Sequence, residues 1–225
     1  MILDLLFPRT CCGCGRLGSY ICEACSRKIQ YRDSDICIYC RKRSYLGLTH
    51  PACKKSHGLD GIMSFCYFRG VMRNIIKDIK YRMVTDIYTE LLHTIPPEQM
   101  LRCSGYTKMF KQLKLLPVPL HRQKLKHRGF NQSEYIATFL SESYKLPIIH
   151  SLTRVINTPP QARLHETTAR KKNIEGAFTL IEDVENENIL LIDDVVTTGS
   201  TLREAAKTLK LHGATNVLAI TLSGR

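Results

Sequence analysis

The segment Ile189-Leu-Leu-Ile-Asp-Asp-Val-Val-Thr-Thr-Gly-Ser-Thr201 puts two adjacent carboxylates at the end of an apolar run, followed by a loop of small hydroxylated residues. Ionised, Asp193 and Asp194 can only accept hydrogen bonds, which suits the hydroxyls of a sugar. Their charge would also stabilise positive charge developing on the sugar ring, which makes them the candidate catalytic pair. Thr197, Thr198, Ser200 and Thr201 supply hydroxyl donors, and Gly199 lets a phosphate approach the backbone. A helix expected to open at Gly199 adds free N–H groups and the positive end of its dipole. An acidic pair alone is ordinarily a strand end beside a helix cap; the thirteen-residue pattern points to a sugar-phosphate site.

A second segment, Pro117-Val-Pro-Leu-His-Arg-Gln-Lys-Leu-Lys-His-Arg-Gly-Phe-Asn-Gln132, leaves a short apolar run through two stiffening prolines and gathers basic and histidine side chains. It then enters a helix with Asn131 and Glu134 at capping-box spacing. Backbone amides around Leu120, His121 and Arg122, with cations nearby, are suited to a polyphosphate leaving group.

The cysteines imply different chemistry. Cys11-x-x-Cys14 and Cys22-x-x-Cys25 form a compact four-thiolate set, enough for one tetrahedral structural zinc. Cys37-x-x-Cys40 with Cys53 suggests a second site that lacks a fourth cysteine, Ser56 standing where one is expected. His57 and His50 are the alternatives for the fourth ligand, with His57 preferred. Cys12 is spare, and Cys66 and Cys103 read as packed or free thiols.

Arg128-Gly-Phe-Asn-Gln132, then Gln161, Arg170, Asn173 and Ala177-Phe178, then the 189–201 loop, occur in that order. The 189–201 loop resembles the phosphoribosyl-pyrophosphate signature of type I phosphoribosyltransferases. With the cysteine-rich start, the whole chain resembles the ComF (ComFC-like) family. The resemblance implies a type I phosphoribosyltransferase fold behind a zinc ribbon, phosphoribosyl pyrophosphate with Mg²⁺ as ligand, and in some members a role in DNA uptake. It places Arg128, Asn131 and Gln132 with Leu120–Arg122 on the pyrophosphate side. It makes 158–173, with Gln161, Arg163, Arg170 and Asn173, the flexible loop that closes over the leaving group. It also implies a phosphoribosyl transfer to an acceptor the sequence does not name. The alternative is a non-catalytic accessory of DNA uptake that binds single-stranded DNA, alongside other uptake proteins. A transcriptional regulator is disfavoured because no helix-turn-helix pattern is found.

These residues need an α/β scaffold to hold them. The 225 residues divide into a cysteine-rich segment, 1–57, poor in long apolar runs, and a segment, 61–225, where strands alternate with helices. That alternation predicts a mostly parallel sheet flanked by helices. Strands are expected at Ile62–Tyr67, Lys114–Val118, Ala177–Ile181, Asn188–Ile192 and Asn216–Leu222. One helix is expected with Val71, Ile75, Ile76, Ile79, Met83 and Ile87 on one face, ended by Pro96-Pro97. The net charge of +13 favours polyanionic partners. The Met1–Pro8 run is too short for a signal peptide and no membrane-length apolar stretch exists, so a cytoplasmic protein is expected.

Overall fold

Residues 8–82, 84–157 and 174–225 are described by the structure, a computed structural model. The cysteine-rich segment contains the one-turn helix α1 (Glu23–Ser26) and the antiparallel pair β1 (Asp35–Ile36) and β2 (Arg43–Ser44). Then follow β3 (Gly61–Tyr67), α2 (Gly70–Arg82), α3 (Asp86–His93), α4 (Pro97–Met109) and β4 (Leu113–Pro117). The chain continues through α5 (Arg122–Arg128), α6 (Gln132–Tyr144), β5 (Leu152–Arg154) and β6 (Phe178–Leu180), and ends with β7 (Asn188–Val196), α7 (Ser200–Leu211) and β8 (Asn216–Gly224).

The strands β3, β8, β7 and β4 form one sheet in that order, every neighbouring pair parallel. Both faces are covered, which explains why Ile189–Ile192 is apolar without alternation. Leu190 and Ile192 join the core under α2, α3, α4 and α6. Ile189 and Leu191 join the opposite core with Leu202, Ala205, Ala206 and Leu209 of α7.

The cysteine-rich segment clasps the β3 edge of this sheet. Tyr31 bridges Cys66, Arg32 N donates to Phe65 O and Tyr67 N donates to Gln30 O, so the edge is paired rather than open. Cys12, Ile21 and Ile29 enter the core on one face, and Ile38 enters the core on the other. The segment too poor in apolar residues to build a core thus lends those it has to the two cores of the sheet.

Three local expectations need correction or extension. The single helix expected from Val71 to Ile87 is two, α2 and α3, a break hidden from the sequence by apolar spacing that continues in phase across it; Met83 lies outside the described residues. Pro96-Pro97 does follow the end of the segment, α3 stopping at His93, but Pro97 also starts a further helix, since proline at the first helical position gives up an N–H that would be unpaired anyway. Strand β7 runs four residues beyond Ile192, because Asp193, Val195 and Val196 pair with Thr221, Ser223 and Gly224 of β8. The acidic pair therefore belongs to a strand and inherits its rigidity.

Candidate functional site

Strand alternation sends the side chains of Asp193 and Asp194 to opposite faces at the carboxyl end of β7. Asp194 is buried, with Lys80 Nζ from α2 only 2.7 Å from its Oδ2. Asp193 Oδ1 accepts from Asp194 N at 2.9 Å, and Ser133 Oγ of α6 lies 3.5 Å from the same oxygen. Burial and the neighbouring Asp194 charge push Asp193 up to about 7. Asp194 meets the same desolvation, but the Lys80 ammonium and the Arg128 charge outweigh it and hold its carboxyl below the usual range. Burial and mutual repulsion thus raise Asp193, while Lys80 favours the ionised form of Asp194.

Beyond the pair, Gly199 turns the chain at φ +75°, and α7 begins at Ser200. Thr198 Oγ1 and Ser200 Oγ are 2.9 Å apart, and both project from the turn that opens the helix. Behind this turn sits Ile38: a Cβ built on Gly199 would lie 2.6 Å from Ile38 Cδ1. Gly199 is thus fixed by its backbone angle and by the cysteine-rich segment packed against it.

Because β4 lies beside β7, the loop after Pro117 runs alongside the acidic pair. Val118 N donates to Ile192 O, and Asn131 Nδ2 donates back to Val118 O at 3.1 Å. Asn131 also caps α6 by accepting from Ser133 N. Leu120 and His121 lead into α5, with His121 as its N-cap and Arg122 exposed at its start. Arg128 donates to Gln132 Oε1 at 3.1 Å. Lys124 is pushed down to about 8, first by burial and then by the charges of Arg154, Arg128 and Lys80. Those cations surround the acidic pair, a field suited to a polyanion. Gln161, Arg163, Arg170 and Asn173 lie outside the described residues.

The ligand atoms of Cys11, Cys14, Cys22 and Cys25 lie within 4.8 Å of one another, and those of Cys37, Cys40, His50 and Cys53 do the same. The 3.6 Å between Cys14 Sγ and Cys22 Sγ is close to the edge of a zinc–thiolate tetrahedron, about 3.8 Å for bonds of about 2.3 Å. Backbone N–H groups of Gly13 and Cys22 point at Cys11 Sγ, as thiolates require. In the second cluster His50, not the preferred His57, supplies the nitrogen. His50 begins the turn Pro51–Cys53 and so shares a scaffold with Cys53, with its Nδ1 3.2 Å from Cys40 Sγ. Its Nε2 is 3.0 Å from Arg43 O, which fixes the ring and leaves Nδ1 for a metal. His57 is exposed in the turn beyond. Elemental analysis of the purified chain should find two zinc ions: Cys14→Ser should lose one, His50→Ala the other, and His57→Ala neither. Two ions retained in His50→Ala would reject the second donor set.

The phosphoribosyl transferase domain family matches residues 143–225. The DNA utilization protein YhgH of Salmonella typhimurium is 27% identical over 212 residues, covering 88% of this chain and 87% of that one. Competence protein F of Haemophilus influenzae is 31% identical over 117 residues, covering 49% and 51%. Competence protein ComFC of Bacillus subtilis is 27% identical over 221 residues, covering 90% and 83%. The chain is thus similar over most of its length to DNA utilization and competence proteins. Its α/β domain has the phosphoribosyltransferase fold, with cysteine clusters ahead of it that could hold zinc.

Several groups of this chain reach the site without having been singled out in the sequence. Lys80 follows Ile79 and lies four residues after Ile76, so a lysine on the apolar side of α2 was the available signal. Arg154 of β5, with its guanidinium over the Phe178 ring, and Tyr88 of α3 carry no such mark. The Tyr88 hydroxyl is buried with no hydrogen-bond partner among the described residues, and the charges of both aspartates act on it.

Proposed function

We propose that this protein is a member of the ComF family, binds phosphoribosyl pyrophosphate and transfers its phosphoribosyl group to an acceptor, in a process connected with DNA uptake. The observation that carries the reading is the acidic pair held on β7, with one carboxylate countered by Lys80, immediately ahead of a Gly199 turn that opens α7. In this reading Thr197–Thr201 receive the 5′-phosphate at the helix N-terminus. Asp193 and Asp194 accept from the ribose hydroxyls and favour cationic character at the sugar. The 118–132 turn, with Lys124, Arg128 and Arg154 around it, receives the diphosphate. Mg²⁺, bound together with the ligand, would lower the leaving-group charge. The acceptor nitrogen forms a bond to C1 while the C1–O bond breaks, the diphosphate departs with the electron pair, and the acceptor's proton passes to solvent. Incubation of the whole protein with phosphoribosyl pyrophosphate, Mg²⁺ and a panel of nucleobases and amines should release pyrophosphate with at least one acceptor. Binding without release from any of them would leave a ligand-binding protein rather than a transferase.

A second reading, a single-stranded DNA accessory, draws on the +13 charge, the basic last turn of α5 and the printed names of the DNA utilization and competence relatives. Single-stranded DNA should then bind with little sequence preference and weaken steeply with salt as counterions are released. Affinity that is flat between low and moderate salt removes it.

A further inference from the structure

Two residues separate Cys37 from Cys40 in the second cluster, and both act at the start of α7. Ile38 shares a core with Val196 at the end of β7 and with Leu202 and Ala205 of α7. Its Cδ1 fills the space that a Cβ on Gly199 would need. Tyr39 is partly buried, its hydroxyl accepts from Leu59 N at 2.9 Å, and the Arg203 guanidinium in the first turn of α7 acts on it electrostatically. Just past this knuckle, Arg41 donates to Arg225 O at 3.2 Å, and Arg225 N donates to Val196 O. Ile38, Tyr39 and Arg41 thus reach both arms of the phosphate turn, the strand that enters it and the helix that leaves it.

Apart from the metal ligands, little holds those three residues in place. β1 and β2 pair through two residues each, and the knuckle closes through Cys37 N donating to Lys42 O and Arg41 N donating to Cys37 O. A ladder that short is not stable by itself in water. In a site of this kind the metal–ligand bonds are themselves folding free energy. The first cluster lies against the other core of the sheet, with Gly13 beside Val71 at the start of α2 and Ile21 N donating to Glu90 of α3.

We infer that zinc in the second cluster and a phosphate ester at the Gly199 turn are coupled ligands, each raising the affinity of the protein for the other. The inference rests on the reading of that turn as the 5′-phosphate site and adds the regulation of the site to it. A phosphate at a helix start needs the free N–H groups held in one arrangement. An ion that fixes Ile38, Tyr39 and Arg41 removes part of the ordering that phosphate binding would otherwise require. By linkage the phosphate returns the same factor to the zinc. The second cluster thereby makes loading of the cleft responsive to zinc supply, whereas the first cluster serves the fold.

The test is a linkage measurement on the whole zinc-loaded protein with ribose 5-phosphate. Equilibrium competition with a chromogenic chelator reads the zinc affinity of each cluster, and Cys14→Ser, which keeps the second ion alone, identifies its signal. Saturating ribose 5-phosphate should tighten zinc at the second cluster about fivefold or more and leave the first unchanged. In the other direction, calorimetry should find ribose 5-phosphate bound about fivefold or more weakly by His50→Ala, and unchanged in Cys14→Ser. If His50→Ala fails to fold, the chelator competition decides alone. Ile38→Val removes the methyl that presses on Gly199 and keeps every ligand, so the tightening should shrink while both ions stay bound. Zinc affinity at the second cluster that ignores ribose 5-phosphate, in a protein that binds it, overturns the coupling and leaves the phosphate site standing. Equal tightening at both clusters means general stabilisation of the fold and overturns it too. Undiminished tightening in Ile38→Val rejects the route through Ile38. An unmodified protein that binds no ribose 5-phosphate removes the phosphate reading itself, and the coupling with it.

Discussion

Replacing Asp193 and Asp194 together by asparagine should weaken phosphoribosyl pyrophosphate–Mg²⁺ at least tenfold and depress any turnover further. The amides keep the shape of the carboxylates, so the 5′-phosphate still meets the start of α7 and the hydroxyls of Thr198 and Ser200. What is lost is the charge on two acceptors, each worth about 1.5–3 kcal/mol in a hydrogen bond. The turnover loss is larger because the charge also acts on a sugar cation that exists only at the transition state. Lys80 would be left beside a neutral amide, but it is partly exposed and can turn to water, so the fold and zinc content should be unchanged. Titration calorimetry of both proteins, with zinc counted in each, is the measurement. Equal affinity in the double amide would mean that the carboxylates hold no ribose, and the central reading would be wrong.

The second large effect is expected at Gly199. Gly199→Val meets two separate obstacles: a left-handed backbone that a β-branched residue adopts only under strain, and Ile38 Cδ1 at 2.6 Å from its first side-chain carbon. The strain alone is of order 1–3 kcal/mol, and relief by unwinding the turn would disperse the N–H groups at the start of α7. Ribose 5-phosphate affinity should therefore fall tenfold or more, with a lowered Tm. Ile38 lies between Cys37 and Cys40, so the second cysteine cluster braces the phosphate turn. Adding Ile38→Ala to Gly199→Val should recover the steric part of the lost stability and little of the phosphate binding. Full recovery of both would mean that the glycine is needed for space and not for its backbone angle. A Gly199→Val protein with unchanged phosphate affinity would remove the turn from the site.

Much of this site was legible because its signals are local. Asp193, Asp194 and the small residues after them are consecutive, and the switch from an apolar run to glycine and hydroxyls marks strand, turn and helix. The same holds for Asn131 at the head of α6 and for the CxxC pairs, whose spacing fixes how close two sulfurs can be. The parallel sheet also followed from alternation alone. Where geometry depends on a partner far away in the chain, sequence reading stopped short. Whether His50 or His57 completes the second cluster turns on which of them shares a rigid turn with Cys53, and both lie within four residues of it in the sequence. The break between α2 and α3 is invisible to periodicity because the apolar face resumes in phase. Lys80 finds Asp194 across more than a hundred residues, and its pairing is set by how α2 lies on the sheet. The placement of Ile38 behind Gly199 likewise comes from packing of separate elements on one face of the sheet. Local chemistry named the candidate groups; only the tertiary structure decided their bracing and what stands next to them.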